Sequence, residues 1–227
     1  MKNKLLIILS AVLLSACSSN NTITQIESSN VETKKALPIK EIPESSLMSE
    51  SPLSAENIDD YLFIEDVMYV DTRSPYMFYS EGHIAGFTNI PWYEAVCQHE
   101  VSDNILFSMD KIRDENGNVI ANMGDVGSFS PNYEESVSLL YATFPKNKQI
   151  VFIASAGVES AYLMNLLIQY GYDASLLYNA GAVTNSLGKN VAYKDLKNTK
   201  HFVEPIDTFE VDAKISWGQL TKINTSK

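Results

Sequence analysis

Few residues in this chain could do covalent chemistry: Cys17 and Cys97, the histidines at 83, 99 and 201, and the serines at 155 and 160. The histidines are scattered without metal-ligand spacing, so no metal site and no cofactor is expected. Two cysteines, one of them in the leader, leave no intramolecular disulfide and no cysteine metal site. The most informative stretch is residues 149–161. Its run Ile150-Val151-Phe152-Ile153 predicts a buried strand, Ser155-Ala156-Gly157 a tight loop, and the apolar-periodic residues after it a helix. Strand, loop and helix N-terminus together make an anion cradle, because successive N–H groups converge where the helix dipole is positive. A cysteine opening such a loop would have a lowered pKa and act as a nucleophile. Ala154 stands there instead. Ser155 and Ser160 each need an adjacent base that the sequence does not place, and Ser160 is expected to begin or cap the helix.

The elements that must position this loop alternate along the chain. Ser54 is expected to cap a short helix through Asn57, Ile58 and Leu62. Strands are expected at 68–71, 86–90, 150–153 and 175–178, with helical turns at 75–79 and 92–97 and helices at 132–144 and 158–170. Such alternation implies an α/β fold with a parallel sheet covered on both faces, its ligands at the carboxyl ends of the strands. Asp71 and Arg73 then fall near the site, where an ion pair or turn cap that fixes the loops is the favoured reading. Between the halves lies an insertion, about 98–131. Leu106 to Ile112 and Val119 to Met123 flank Asn116-Gly117, which predicts a hairpin, followed by a glycine-containing loop over 124–129. A C-terminal extension, about 188–227, alternates apolar and polar residues over 201–220 and suits one or two docked strands.

The N-terminus carries an address. Lys2 and Lys4 precede an apolar run over 5–14, too short for an ordinary membrane span, and then Leu14-Ser15-Ala16-Cys17. This ending resembles a bacterial lipobox, which implies a signal peptide over 1–16 and lipid on Cys17. Residues 17–53, rich in Ser, Asn, Thr, Glu and Lys, are expected to form a disordered tether to a domain over 54–227. The formal charge is −11, and about −13 once Lys2 and Lys4 are removed. So acidic a chain is a poor partner for nucleic acid.

Val70-Asp71-Thr72-Arg73, followed by Glu81-Gly82-His83-Ile84-Ala85-Gly86-Phe87-Thr88-Asn89-Ile90-Pro91, resembles the rhodanese-like domain. The loop over 150–161, then Gly171-Tyr172 and Leu177-Tyr178-Asn179-Ala180-Gly181, is similar to that family's active loop, helix and last strand. The resemblance covers about 55–187 and implies a rhodanese-like parallel sheet flanked by helices. It aligns the family's catalytic Cys with Ala154, its loop Gly with Gly157, its anion-binding Arg with Glu159 and its Ser with Ser160. The loop Ala154-Ser155-Ala156-Gly157-Val158-Glu159-Ser160 is therefore degenerate. A sulfurtransferase needs a thiolate to carry sulfur and a cation to draw in the anionic donor. A methyl group and a carboxylate supply neither, and a carboxylate at the cradle mouth repels anions. His83 of the Gly-His-Ile motif is expected to be structural.

The expected protein is thus an extracytoplasmic lipoprotein on the cell membrane or outer membrane, held by lipid on Cys17. It lacks sulfurtransferase activity and acts as a binding or scaffolding module for a peptide or protein partner. Asp71, Arg73, His83 and Glu159 are its candidate cleft residues, with the insertion as part of the binding surface. The alternatives are a residual sulfurtransferase or other cleft enzyme using Cys97, which lies one helical turn after the Asn-Ile-Pro segment, or a purely structural envelope lipoprotein.

Overall fold

The computed structural model describes residues 35–54, 56–92, 105–110, 114–118, 128–183, 200–206 and 218–223. They belong to one compact unit that begins at Lys35. Cys17, Cys97, the expected strand over 119–123 and most of the C-terminal extension lie outside the described residues.

Among the described residues are eight strands: β1 Val67–Asp71, β2 His83–Ile84, β3 Thr88–Asn89, β4 Phe107–Asp110, β5 Ser128–Pro131, β6 Gln149–Ala154, β7 Leu177–Ala182 and β8 Phe202–Val203. The helices are α1 Pro75–Ser80, α2 Ser136–Thr143 and α3 Val158–Gln169. Strands β3-β1-β6-β7 form a four-stranded, all-parallel sheet, the centre of an α/β fold flanked by helices.

β6 explains the layering. Ile150, Val151 and Phe152 are fully buried and Ile153 is 1% exposed, so the strand has no solvent face. Successive side chains point to opposite sides. Ile150 and Phe152 join Val70 of β1, Leu163, Met164, Leu166 and Leu167 of α3, and Leu140 of α2 in one core. Val151 and Ile153 join Tyr69, Tyr178 and Ala180 in the other, which is closed by Ile58, Leu62, Leu37 and Leu53. The register keeps like with like: Val70 pairs with Phe152, and Tyr69 with Val151.

The second core corrects the expectation of a disordered tether running to residue 53. Residues 35–53 are packed onto the domain. Leu37 and Leu53 are buried at either end of the segment, and Lys40 between them is buried too. The Lys40 ammonium donates to the carbonyls of Pro43 (2.8 Å), Ser45 (3.0 Å), Ala174 (2.9 Å) and Leu177 (2.9 Å). Tyr178 Oη adds a bond to the Pro38 carbonyl at 3.1 Å. The segment docks here through Leu37 and Leu53 at its ends and, between them, through a few polar contacts that hydropathy does not register. It also lies against the outer strand of the sheet, shielding part of an edge that would otherwise stay open.

Two further boundaries differ from expectation. The insertion's first strand, β4, lies where the sequence places it, and the turn at Asn116-Gly117 is closed by Asp114, which accepts from the N–H groups of Asn116 and Asn118. The partner of β4 is β5, antiparallel, and part of the expected loop over 124–129 is therefore strand. The strand expected at 175–178 begins at Leu177, because Asp173 caps a short 3-10 turn over Ala174–Leu176 through Ser175. Of the C-terminal extension, β8 docks antiparallel on β2, with His83 opposite Val203. Gly82 makes that docking possible: it has φ +82°, and a Cβ there would lie 2.5 Å from the Phe202 ring. No helix among the described residues is long and apolar enough to cross a membrane.

Candidate functional site

Loop 155–157 leaves the carboxyl end of β6 and feeds α3, the arrangement that places N–H groups at a helix N-terminus. Gly157 is the N-cap, in the left-handed region at φ +79°. One N–H of the cradle is already engaged from within the chain. Glu159, in the first turn of α3, folds back so that its Oε2 accepts from the Ala156 N–H at 3.3 Å. A carboxylate of the chain itself takes the place a bound anion would take, and the helix dipole favours it there.

Above the loop lies a short 3-10 turn, Met48–Glu50, from the segment that the sequence had suggested was a tether. The Met48 sulfur sits so close that a Cβ on Gly157 would come within 2.7 Å of it. Leu47, Met48 and Ser49 form one wall of a small cavity of about 30 Å³, with Gly157, Val158 and Asn179 on the other. That volume is enough for water, and the cavity is partly open to solvent. Asn179 ties the two walls together. Its Nδ2 donates to the Ser46 carbonyl (2.9 Å) and the Gly157 carbonyl (3.1 Å), while its Oδ1 accepts from Gly181 N–H (2.9 Å).

The residues singled out from sequence do not form one cluster. Ala154 is 1% exposed, and its methyl group offers no nucleophile. Ser155 Oγ donates to the Met77 sulfur at 3.5 Å, on the α1 side of the loop. Ser160 does not cap: it lies inside α3, fully buried, and its Oγ has no hydrogen-bond partner among the described residues. Asp71 and Arg73 are buried against each other, with Arg73 Nη2 2.7 Å from Asp71 Oδ2. Arg73 Nε also donates to Asp71, Nη2 to the Gly82 carbonyl and Nη1 to Glu81. Every guanidinium nitrogen is thus engaged in pinning the end of β1 to the turn before β2. Asn89 completes this knot by donating to the carbonyls of Asp71 and Arg73. His83 stacks on Phe78, with ring centroids 3.7 Å apart, and its Nδ1 donates to the Phe78 carbonyl. These three side chains fix loops; Glu159 is the one that reaches into the cradle.

Met48, Asn179 and Lys40 were not picked out from the sequence. Asn179 carried a legible signal, an amide inside a strand otherwise made of buried residues. Burial lowers the Lys40 ammonium to about 8, against the opposing pull of Glu44 and Asp173. The insertion is not at the cleft in its described part. Gln169, the last residue of α3, clasps Phe129 of β5 through two bonds of 2.7 Å, and Tyr170 Oη donates to the Phe129 carbonyl. A 12-residue helix separates that dock from the cradle, roughly 18 Å at the α-helical rise. No family model matches the chain, and neither a curated protein nor a solved structure matches it.

Two outcomes follow from this geometry. Removing the Ser160 hydroxyl relieves a buried group that makes no bond, so Ser160→Ala is expected to stabilise the fold by about 1 kcal/mol in urea unfolding. An unchanged or lower midpoint would mean the hydroxyl is satisfied. Burial also holds His83 below its ordinary pKa. The unfolded chain therefore binds more protons near pH 6, and stability rises with pH up to about 6.5 and falls on acidification. His83→Gln is expected to flatten that part of the urea-midpoint profile between pH 5 and 7; an identical slope would clear His83 of the effect.

Proposed function

We propose that this protein is a lipid-anchored, extracytoplasmic rhodanese-like module that has lost sulfur-transfer chemistry and binds a peptide or protein at the cradle. One observation carries the reading: Glu159 turns inward onto the Ala156 N–H, so the cradle that an anionic donor would need is already taken by a carboxylate. Ala154 agrees with it, because sulfur transfer requires a thiolate to take the outer sulfur of the donor as a persulfide, and a methyl group cannot do so. The all-parallel sheet, with the loop at the carboxyl end of a central strand, supports the family resemblance of the two halves.

The deciding measurement is sulfur transfer from thiosulfate to cyanide by the chain from Ser18 onward, beside Ala154→Cys and Ala154→Cys/Glu159→Arg. The natural sequence is expected to be inactive and the double variant to gain thiocyanate formation, with sulfite released as the persulfide forms. Turnover by the natural sequence would sink the non-catalytic reading and direct attention to Cys97.

Anchoring rests on Leu14-Ser15-Ala16-Cys17. Two or more acyl chains hold a protein on a bilayer where one holds it marginally. In a bacterial host, Cys17→Ser is expected to move the protein from the membrane pellet to the soluble extracytoplasmic fraction; retention in the pellet would remove the lipid anchor from the proposal.

A further inference from the structure

The cradle already holds a ligand of sorts. Residues 41–51 arch over it between two fixed points. At one end Lys40 binds two carbonyls of the arch, Pro43 and Ser45, and two of the domain, Ala174 and Leu177. At the other, Leu53 is 2% exposed and Asn57 Nδ2 holds the Pro52 carbonyl at 2.9 Å. The arch is braced within itself as well: Ser45 Oγ donates to Glu50, and the Glu50 N–H donates to the Leu47 carbonyl.

What touches the cleft is narrow. The Ser46 carbonyl takes the Asn179 carboxamide, and Ser46 Oγ donates to Asn165 Oδ1 at 3.2 Å. Leu47 is extended, at φ −69° and ψ 137°, and carries the chain on to Met48. The Met48 side chain, unbranched and polarizable, enters the notch that the missing Cβ of Gly157 leaves open. Val158 and Ala161 complete the apolar part of that notch. Two of these elements are not peculiar to this segment. A main-chain carbonyl is present in any peptide, and an unbranched apolar side chain two residues later is a short, common pattern.

We infer that residues 46–48 are an internal stand-in, and that the cleft's external ligand is an extended peptide that displaces them. Its main-chain carbonyl binds Asn179, and an unbranched apolar side chain two residues on fills the notch at Gly157. The inference rests on the binding-module reading and names the class of partner. It also gives the arch a role: residues 41–51 close the cleft until a segment of the same chemistry competes for it. The same geometry rejects acidic side chains at the notch, since Glu159 lies in the adjacent turn.

The test uses the chain from Ser18 onward and a fluorescein-labelled peptide of residues 43–51, read by polarization. The natural chain is expected to bind it weakly, because its own arch competes. Met48→Asp and Met48→Ala, which remove the apolar latch while leaving Gly157, Val158 and Asn179 on the facing wall unchanged, are expected to bind it at least tenfold more tightly. Against these variants, the peptide with norleucine in place of Met48 should bind as the parent does, and the peptide with Glu there should not. Hydrogen exchange over 41–51 should rise in both variants, which shows the arch opening independently of any peptide. Equal affinity in natural and variant chains, binding of the Glu peptide, or unchanged exchange over 41–51 would each overturn the inference. Dimers formed by exchange of this segment, seen by light scattering, would overturn it in favour of a second copy as occupant. Failure of the peptide arm leaves the thiosulfate result untouched, so loss of this inference and loss of the non-catalytic reading are separately visible.

Discussion

A strand buried on both faces sets the terms for the rest of this structure. With Ile150 to Ile153 inside, water has no access to either side of β6, and two separate covers must be found. Helices α2 and α3 supply one. The other is assembled from small pieces: the 3-10 turn over Ile58–Tyr61, Phe87, and the ends of the N-terminal segment at Leu37 and Leu53. Because that second cover includes chain lying before the sheet in sequence, residues 35–53 must run across the molecule. In doing so they pass over the carboxyl end of β6, where the loop opens. Covering a core and covering a cleft are therefore one structural event.

The cradle is met by groups of the chain itself twice over, from within and from above. Glu159 supplies a negative charge to N–H groups that are built to receive one. Met48 fills the space that Gly157 provides. By contrast, the polar knot of Asp71, Arg73, Gly82 and Asn89 is complete in itself. A buried guanidinium with every nitrogen engaged serves to hold three chain segments in register, and breaking it would strand a buried charge.

The parts legible in the sequence are those where one period dominates. The apolar run at 150–153 and the helix at 158–169 were readable because burial is continuous in the first and repeats along one face in the second. β5 was not, since Ser128-Phe129-Ser130-Pro131 offers a single large apolar side chain and is held by Gln169 and Tyr170, about 40 residues on in the chain. The docking of residues 35–53 was hidden for the same kind of reason. Its contacts are sparse and distant: Ser46 meets Asn179 across 133 residues, and Lys40 meets Leu177 across 137. Ser160 misled in the opposite direction. Its type suits a cap, but the left-handed Gly157 already begins the helix, which leaves Ser160 one turn inside and buried. Local composition reads local structure; the site here is made by two segments that the sequence keeps far apart.

The order of fastenings along residues 35–53 decides how the domain bears a pull. A pull on the chain at Lys35 meets the Pro38–Tyr178 bond and the four-carbonyl clamp on Lys40 before it reaches Met48. The clamp joins residues on both sides of the gap, so the tension passes from Lys40 into Ala174 and Leu177 and is carried by the sheet. Residues 41–51 lie downstream of that junction and stay slack. Tension applied at Lys35 is thus borne ahead of the segment that lines the cavity at Gly157.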